Sequence, residues 1–117
     1  MVKPIYVDVP KNELTHLIDL VCEKCDVPRE QVMGVSRTQE VAHARWLACY
    51  ILRNRYKLTL YQIAGVMDKN HQTVHMGLGR FGVLLRKDPF YRIALEAINW
   101  TLDQDHSDLP NPLRLSA

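Results

Sequence analysis

Three groups of side chains in this sequence could do chemistry. Cys22 and Cys25 form a C-x-x-C, the spacing of thiol–disulfide pairs and of half a zinc site. His71 and His75 lie one helical turn apart, as two metal ligands on a helix would. Asn70, His71, Gln72, Thr73 and His75 form a polar run interrupted by Val74, rich in donors and acceptors that a hydrophobic core does not want.

The surroundings weaken the first two. A redox C-x-x-C uses a helix N-terminus to lower its thiol pKa, whereas Cys22 and Cys25 fall late in a predicted helix. A structural zinc site needs two further ligands at suitable spacing, and no second pair exists. With Cys49 the cysteine count is odd, which suits a reducing compartment rather than a disulfide framework. All three are expected to be plain buried thiols. His71 and His75 lack both a third ligand and the intervening acidic residue of a zinc hydrolase, so neither metal nor cofactor is expected. No glycine-rich phosphate loop, motif-borne nucleophile or paired-carboxylate signature is present, and the chain does not read as an enzyme.

The polar run fits a nucleic acid. Gln and Asn can pair bidentately with adenine, a Thr methyl can meet a thymine methyl, and His can donate to guanine or sit beside phosphate. Charge is arranged to match. Net charge is only +2, yet residues 29–92 hold eleven basic and four acidic side chains, or +7, against −5 for the rest. A basic middle between acidic ends is the footprint of a polyanion-binding face. Apolar residues at 47% and charged residues at 24% are the balance of a soluble globular protein. The 117 residues fit one domain. No apolar run approaches the roughly 20 residues that span a bilayer, and the start lacks a secretory pattern. A cytoplasmic, nucleoid-associated protein is expected, with no membrane partner.

Helical periods position these groups. Residues 1–10, with two prolines, read as an extended arm. Leu14, Leu17, Ile18, Val21, Cys22 and Cys25 give one stripe of a helix over 11–25, with Asn12 as its N-cap. Pro28 opens a short turn that Gly34 closes. Ser36 then caps a long helix over about 37–56, whose apolar face is Val41, Ala44, Leu47, Ala48, Ile51 and Leu52. Along its side Arg37, Arg45 and Arg53 recur every eight residues, a slowly drifting row of cations. Thr59 and Gln62 form a capping box for a helix bearing Leu60, Ile63, Ala64 and Met67. Asp68-Lys69-Asn70 breaks it, and Asn70 caps a longer helix with Val74, Leu78, Phe81 and Leu85 on its inner side. Short helix, three-residue break and longer helix with a polar start make a helix-turn-helix. Asp88-Pro89 opens a last helix, with Phe90, Ile93, Ala94, Ala97, Ile98 and Thr101 facing inward, fading near Gln104. The expected fold is an all-α, compact helical bundle with a Trp-repressor-like helix-turn-helix in residues 11–104, followed by a flexible tail over 105–117.

The run Ser36 to Leu85, centred on NHQTVHMGLGRF, resembles the C-terminal DNA-binding domain of DnaA, the bacterial chromosomal replication initiator. That family's G-G-R-D-H-T-T-V-L-H-A is answered here by Asp68-Lys69-Asn70-His71-Gln72-Thr73-Val74-His75-Met76-Gly77. Ser36-Arg37 and Val41-Ala42-His43-Ala44-Arg45 fall on its basic loop and following helix, and Leu60, Ile63 and Met67 on apolar positions. The resemblance covers about residues 13–102.

It implies double-stranded DNA as the partner. Arg37 would enter the minor groove, and Arg45 and Arg53 would follow the backbone. Leu60 and Tyr61 would lie near the DNA at the start of the first helix of the motif. Lys69, Asn70, His71, Gln72 and Thr73 would work in the major groove, with His75 one turn on. There are departures. The glycine pair is missing and the turn is one residue shorter. Asn70 and Gln72 replace an aspartate and a threonine, and Gln39 and Glu40 thin the basic loop. The chain is expected to act without an ATPase domain, as a sequence-specific regulator of replication initiation or transcription, with replication or regulatory proteins as further partners. The alternative is a protein-interaction module that keeps the fold without the DNA.

Overall fold

The computed structural model describes residues 9–36 and 38–107, with side chains through position 104. The expected arm and tail therefore lie mostly outside the described residues, as does Arg37. Six helices follow in order: α1 Lys11–Cys25, α2 Arg29–Met33, α3 Gln39–Asn54, α4 Leu60–Met67, α5 His71–Lys87 and α6 Pro89–Ser107. The fold is all-α, as the helical periods require. Among the described residues no helix is long and apolar enough to cross a membrane.

The centre is α3, which touches every other helix. Its apolar face is buried as the period predicts, from Val41 through Ala44, Leu47, Ala48 and Ile51 to Leu52, with Cys49 beside it. Burying each of the Val, Leu and Ile side chains contributes about 1.5–3 kcal/mol, so this one helix organises the bundle. α1 and α6 cover one side of it, while α4 and α5 cover another. In α1, Leu17, Ile18, Val21 and Cys22 are buried as expected, but Leu20 joins them while Leu14 and Cys25 are only half-buried. Burial pushes the Cys25 thiol up to about 11 and that of Cys49 to about 12, the opposite of a reactive thiolate.

Three local expectations are corrected. The N-cap of α1 is Pro10, not Asn12: the Pro10 carbonyl accepts from the N–H groups of Glu13 and Leu14, leaving Asn12 inside the first turn. The N-cap of α3 is Thr38, and the Ser36 hydroxyl instead accepts from the Thr38 N–H. On α6 Ala94 and Ile98 are buried as expected, but Tyr91 and Leu102 complete the buried stripe, leaving Phe90 48% and Ile93 64% exposed. This helix carries two overlapping apolar stripes, and periodicity cannot choose between them. Tyr91 decides, because its hydroxyl pairs with His43 Nδ1 at 3.0 Å and its ring meets Phe81 edge-on. Asp88 does cap α6, its carboxylate accepting from the Phe90 N–H, and the helix runs to Ser107 rather than fading at Gln104.

α5 crosses α3 closely because residue 77 is glycine. A Cβ there would stand 2.6 Å from Trp46 Cδ1, and Trp46 is in turn packed on His43. Gly79 has nothing within 4 Å of its would-be Cβ. The two alanine variants should therefore move stability in opposite directions. Gly77→Ala is expected to cost about 1–3 kcal/mol through overpacking. Gly79→Ala should add about 0.5–1 kcal/mol by helix propensity. Urea denaturation of the two variants checks this, and a shift of the same sign in both would disprove the packing account.

Candidate nucleic-acid interface

The capping box forms as its spacing predicts. The Gln62 N–H donates to Thr59 Oγ1 at 3.1 Å, and the Thr59 N–H donates to Gln62 Oε1 at 2.8 Å. Ile63, Ala64 and Met67 then bury the inner side of α4. The turn out of α4 needs one left-handed residue, and Asp68 supplies it at φ 54°, with the Lys69 N–H closing on the Ala64 carbonyl. Asp tolerates this region better than most non-glycine residues, so the turn survives without the glycine that the resemblance led one to expect there. Asn70 Oδ1 next accepts from the Gln72 N–H at 2.7 Å and starts α5.

Val74, Gly77 and Phe81 fix which side of α5 faces inward. At 100° per residue the opposite side carries Gln72, Met76, Gly79 and Val83. Gln72, Thr73 and His75 are exposed, and among the described residues their side chains make no hydrogen bond within the chain. Asn70 is exposed too, but its amide oxygen is engaged by the cap, which leaves Gln72 as the unengaged amide. His71 is half-buried and stacks on Tyr61, ring centroids 4.6 Å apart and planes 30° from parallel. Tyr61 itself is 59% exposed, while Leu60 is half-buried against the core. The first turns of α4 and α5 thus form one surface, with an aromatic pair joining them.

Arg45 and Arg53 of the expected cation row, and Lys69 of the turn, are engaged by carbonyls of the chain itself. Arg45 donates through Nε to the Val32 carbonyl at 2.9 Å and through Nη2 to the carbonyls of Gln31, Gly34 and Ser36 at 3.0–3.3 Å. Lys69 Nζ donates to the carbonyls of Met33 and Gly34 at 2.9 and 2.7 Å. Burial and the neighbouring Arg45 charge both lower the Lys69 pKa. Arg53, although exposed, donates to the Leu58 carbonyl at 2.8 Å. No pattern of one-dimensional spacing reveals these partners, since carbonyls have no signature in sequence. Met76 and Val35 are two of the exposed apolar residues outside the expected stripes. Met76, 53% exposed, follows Gln72 along the outer stripe, a position its four-residue spacing could have indicated. Val35, 92% exposed, sits in the connection before α3 and has no such signal.

A short capped helix, a left-handed turn and a longer helix with an exposed polar start define a helix-turn-helix protein. The sequence profile described as "Bacterial dnaA protein helix-turn-helix" matches residues 14–80, more than half of the chain. The chain therefore belongs to the DnaA helix-turn-helix family. Among curated relatives, the chromosomal replication initiator protein DnaA of Mycoplasma pneumoniae is 35% identical over 72 residues, which is 62% of this chain and 16% of that protein. DnaA of Mycoplasma genitalium is 27% identical over 82 residues, covering 70% of this chain and 19% of that protein. DnaA of Picosynechococcus is 28% identical over 94 residues, or 80% of this chain and 21% of that one. The chain thus spans about a fifth of these relatives.

Proposed function

We propose that residues 11–104 are a sequence-specific double-stranded DNA-binding domain that acts in replication initiation or in transcription at initiator-like sites. The observation that carries this is the start of α5, where Gln72, Thr73 and His75 stand exposed and unengaged beside the stacked Tyr61–His71 pair. Set into the major groove, Gln72 pairs with an adenine edge, and Thr73 and Met76 offer methyl groups to thymine. His71 and His75 donate to guanine or to phosphate. The positive dipole end of α5 favours a phosphate beside its first turn. Arg37, outside the described residues, takes the minor groove by the family resemblance, with Arg53 and Leu60 near the backbone. Replication or regulatory proteins are the further partners this role brings, and association with the nucleoid follows from it.

A fluorescence-anisotropy titration of duplex DNA at two salt concentrations tests this. With about four to six phosphates neutralised, log affinity should fall against log salt with a slope of about −0.9 per phosphate. Micromolar or weaker binding that ignores salt would refute the proposal. The second reading, a protein-interaction module that keeps the fold without the DNA, draws on the engagement of Arg45 and Lys69 within the chain and on exposed Glu40. Its test is the double variant Arg37→Ala with Gln72→Ala, which under that reading leaves function intact and under the DNA reading abolishes binding.

A further inference from the structure

α2 has only five residues, so its last carbonyls find no partner within their own helix. Two cations from distant parts of the chain supply the donors. Arg45 comes from the body of α3, and its Nη2 reaches three carbonyls with two protons, so at least one proton is shared. Lys69 comes from the turn between α4 and α5, more than thirty positions from the carbonyls that it meets. Both converge on the Gly34 oxygen. The Gly34–Ser36 backbone is thereby drawn inward onto charge, while the Val35 side chain between those carbonyls is turned out to 92% exposure.

We propose that Arg45 and Lys69 are positioning residues that lock the Gly34–Ser36 segment in register with the first turn of α5. The proposal rests on the DNA-binding role argued above and deepens it. The segment ahead of α3 and the reading turn belong to elements separated by α3 and α4 in sequence, and a protein that grips two strands needs their spacing to be rigid before contact. Lys69 provides this because it occupies the residue between the left-handed Asp68 and the Asn70 cap, so its backbone is fixed to the end of α4 on one side and to the start of α5 on the other. Its role is then to hold the protein's own carbonyls, and it neutralises no phosphate.

The test compares wild type, Lys69→Met and Lys69→Arg by two measurements. The first needs no DNA: backbone order parameters of Val35 and Ser36 are expected at about 0.85 in wild type and should fall below about 0.6 in Lys69→Met while those of α1 and α6 hold. The second is binding of a fluorescent duplex enriched from a random pool by the wild-type chain. Lys69→Met should weaken it about tenfold with the salt slope unchanged, and Lys69→Arg should restore both the order and the affinity. Loss of a phosphate contact would instead reduce the slope by about 0.9, and that result would overturn the proposal. Unchanged order parameters would overturn the clamp itself, and a loosened segment with full affinity would overturn its positioning role. If wild type bound no duplex, the DNA-binding role would fall, and the order parameters alone would decide the clamp.

Discussion

Replacing Gln72 and Thr73 together by alanine is expected to weaken binding to a preferred duplex by about 3 kcal/mol, on the order of a hundredfold. Affinity for an unrelated duplex at low salt should stay as it is. The asymmetry follows from what the two side chains do inside the chain. Both are exposed and neither makes a side-chain hydrogen bond among the described residues, while the helix cap uses only the backbone N–H of Gln72. Alanine therefore leaves the cap intact and removes base-edge contacts alone, so folding stability should shift by no more than about 0.5 kcal/mol. Paired titrations of the two duplexes, with a urea melt of the variant, make the comparison. An equal loss on both duplexes would mean that these residues position the domain rather than read sequence. No loss on either would remove α5 from the interface.

Phe81→Ala should have the largest effect on stability, about 3–5 kcal/mol. Phe81 is fully buried, and its ring packs against Tyr50 at 5.2 Å and Tyr91 at 6.2 Å between centroids. It thus sits where α3, α5 and α6 meet, and removing it opens a cavity lined by rigid rings that cannot close in. A loss of that size takes a large part of the 5–15 kcal/mol that holds a typical domain together. Phe81→Leu, which keeps most of the volume, should cost less than about 1.5 kcal/mol. Chemical denaturation of both variants measures the difference. A cost below about 1.5 kcal/mol for the alanine variant would show that the junction of the three helices relaxes around the gap.

The two predictions bear on opposite sides of one helix, and the residues of both sides are legible in the sequence, while the surroundings of the outer side are not. Val74, Phe81, the Thr59–Gln62 box and the Asn70 cap all follow from local rules. A helical period or a capping pair is complete within four or so residues, and each formed where its spacing required. On α6 Ala94 and Ile98 are buried as their spacing requires but Phe90 and Ile93 are not, because Phe90–Ile93–Ala97 and Tyr91–Ala94–Ile98 satisfy the same period. The contacts of Tyr91 with Phe81 and with His43, the latter 48 positions away, separate them. Asn12 and Ser36 fail as caps for a simpler reason: both helices start without a side-chain cap, and the backbone carbonyls of Pro10 and Thr38 take the first N–H groups.

The polar start of the second motif helix was legible for the same local reason, since Asn70 to His75 have no place in a core. What their surroundings would be was not. By itself the sequence determined the helices of the motif, the caps that start them and the identity of the exposed donors and acceptors, because each depends on residues a turn apart. Tertiary structure alone decided that Arg45 and Lys69 turn inward onto the carbonyls of Gln31–Ser36, and that His71 stacks on Tyr61. Those contacts join residues up to 36 positions apart. A charge in sequence carries no record of whether its partner is a phosphate outside the protein or a carbonyl within it.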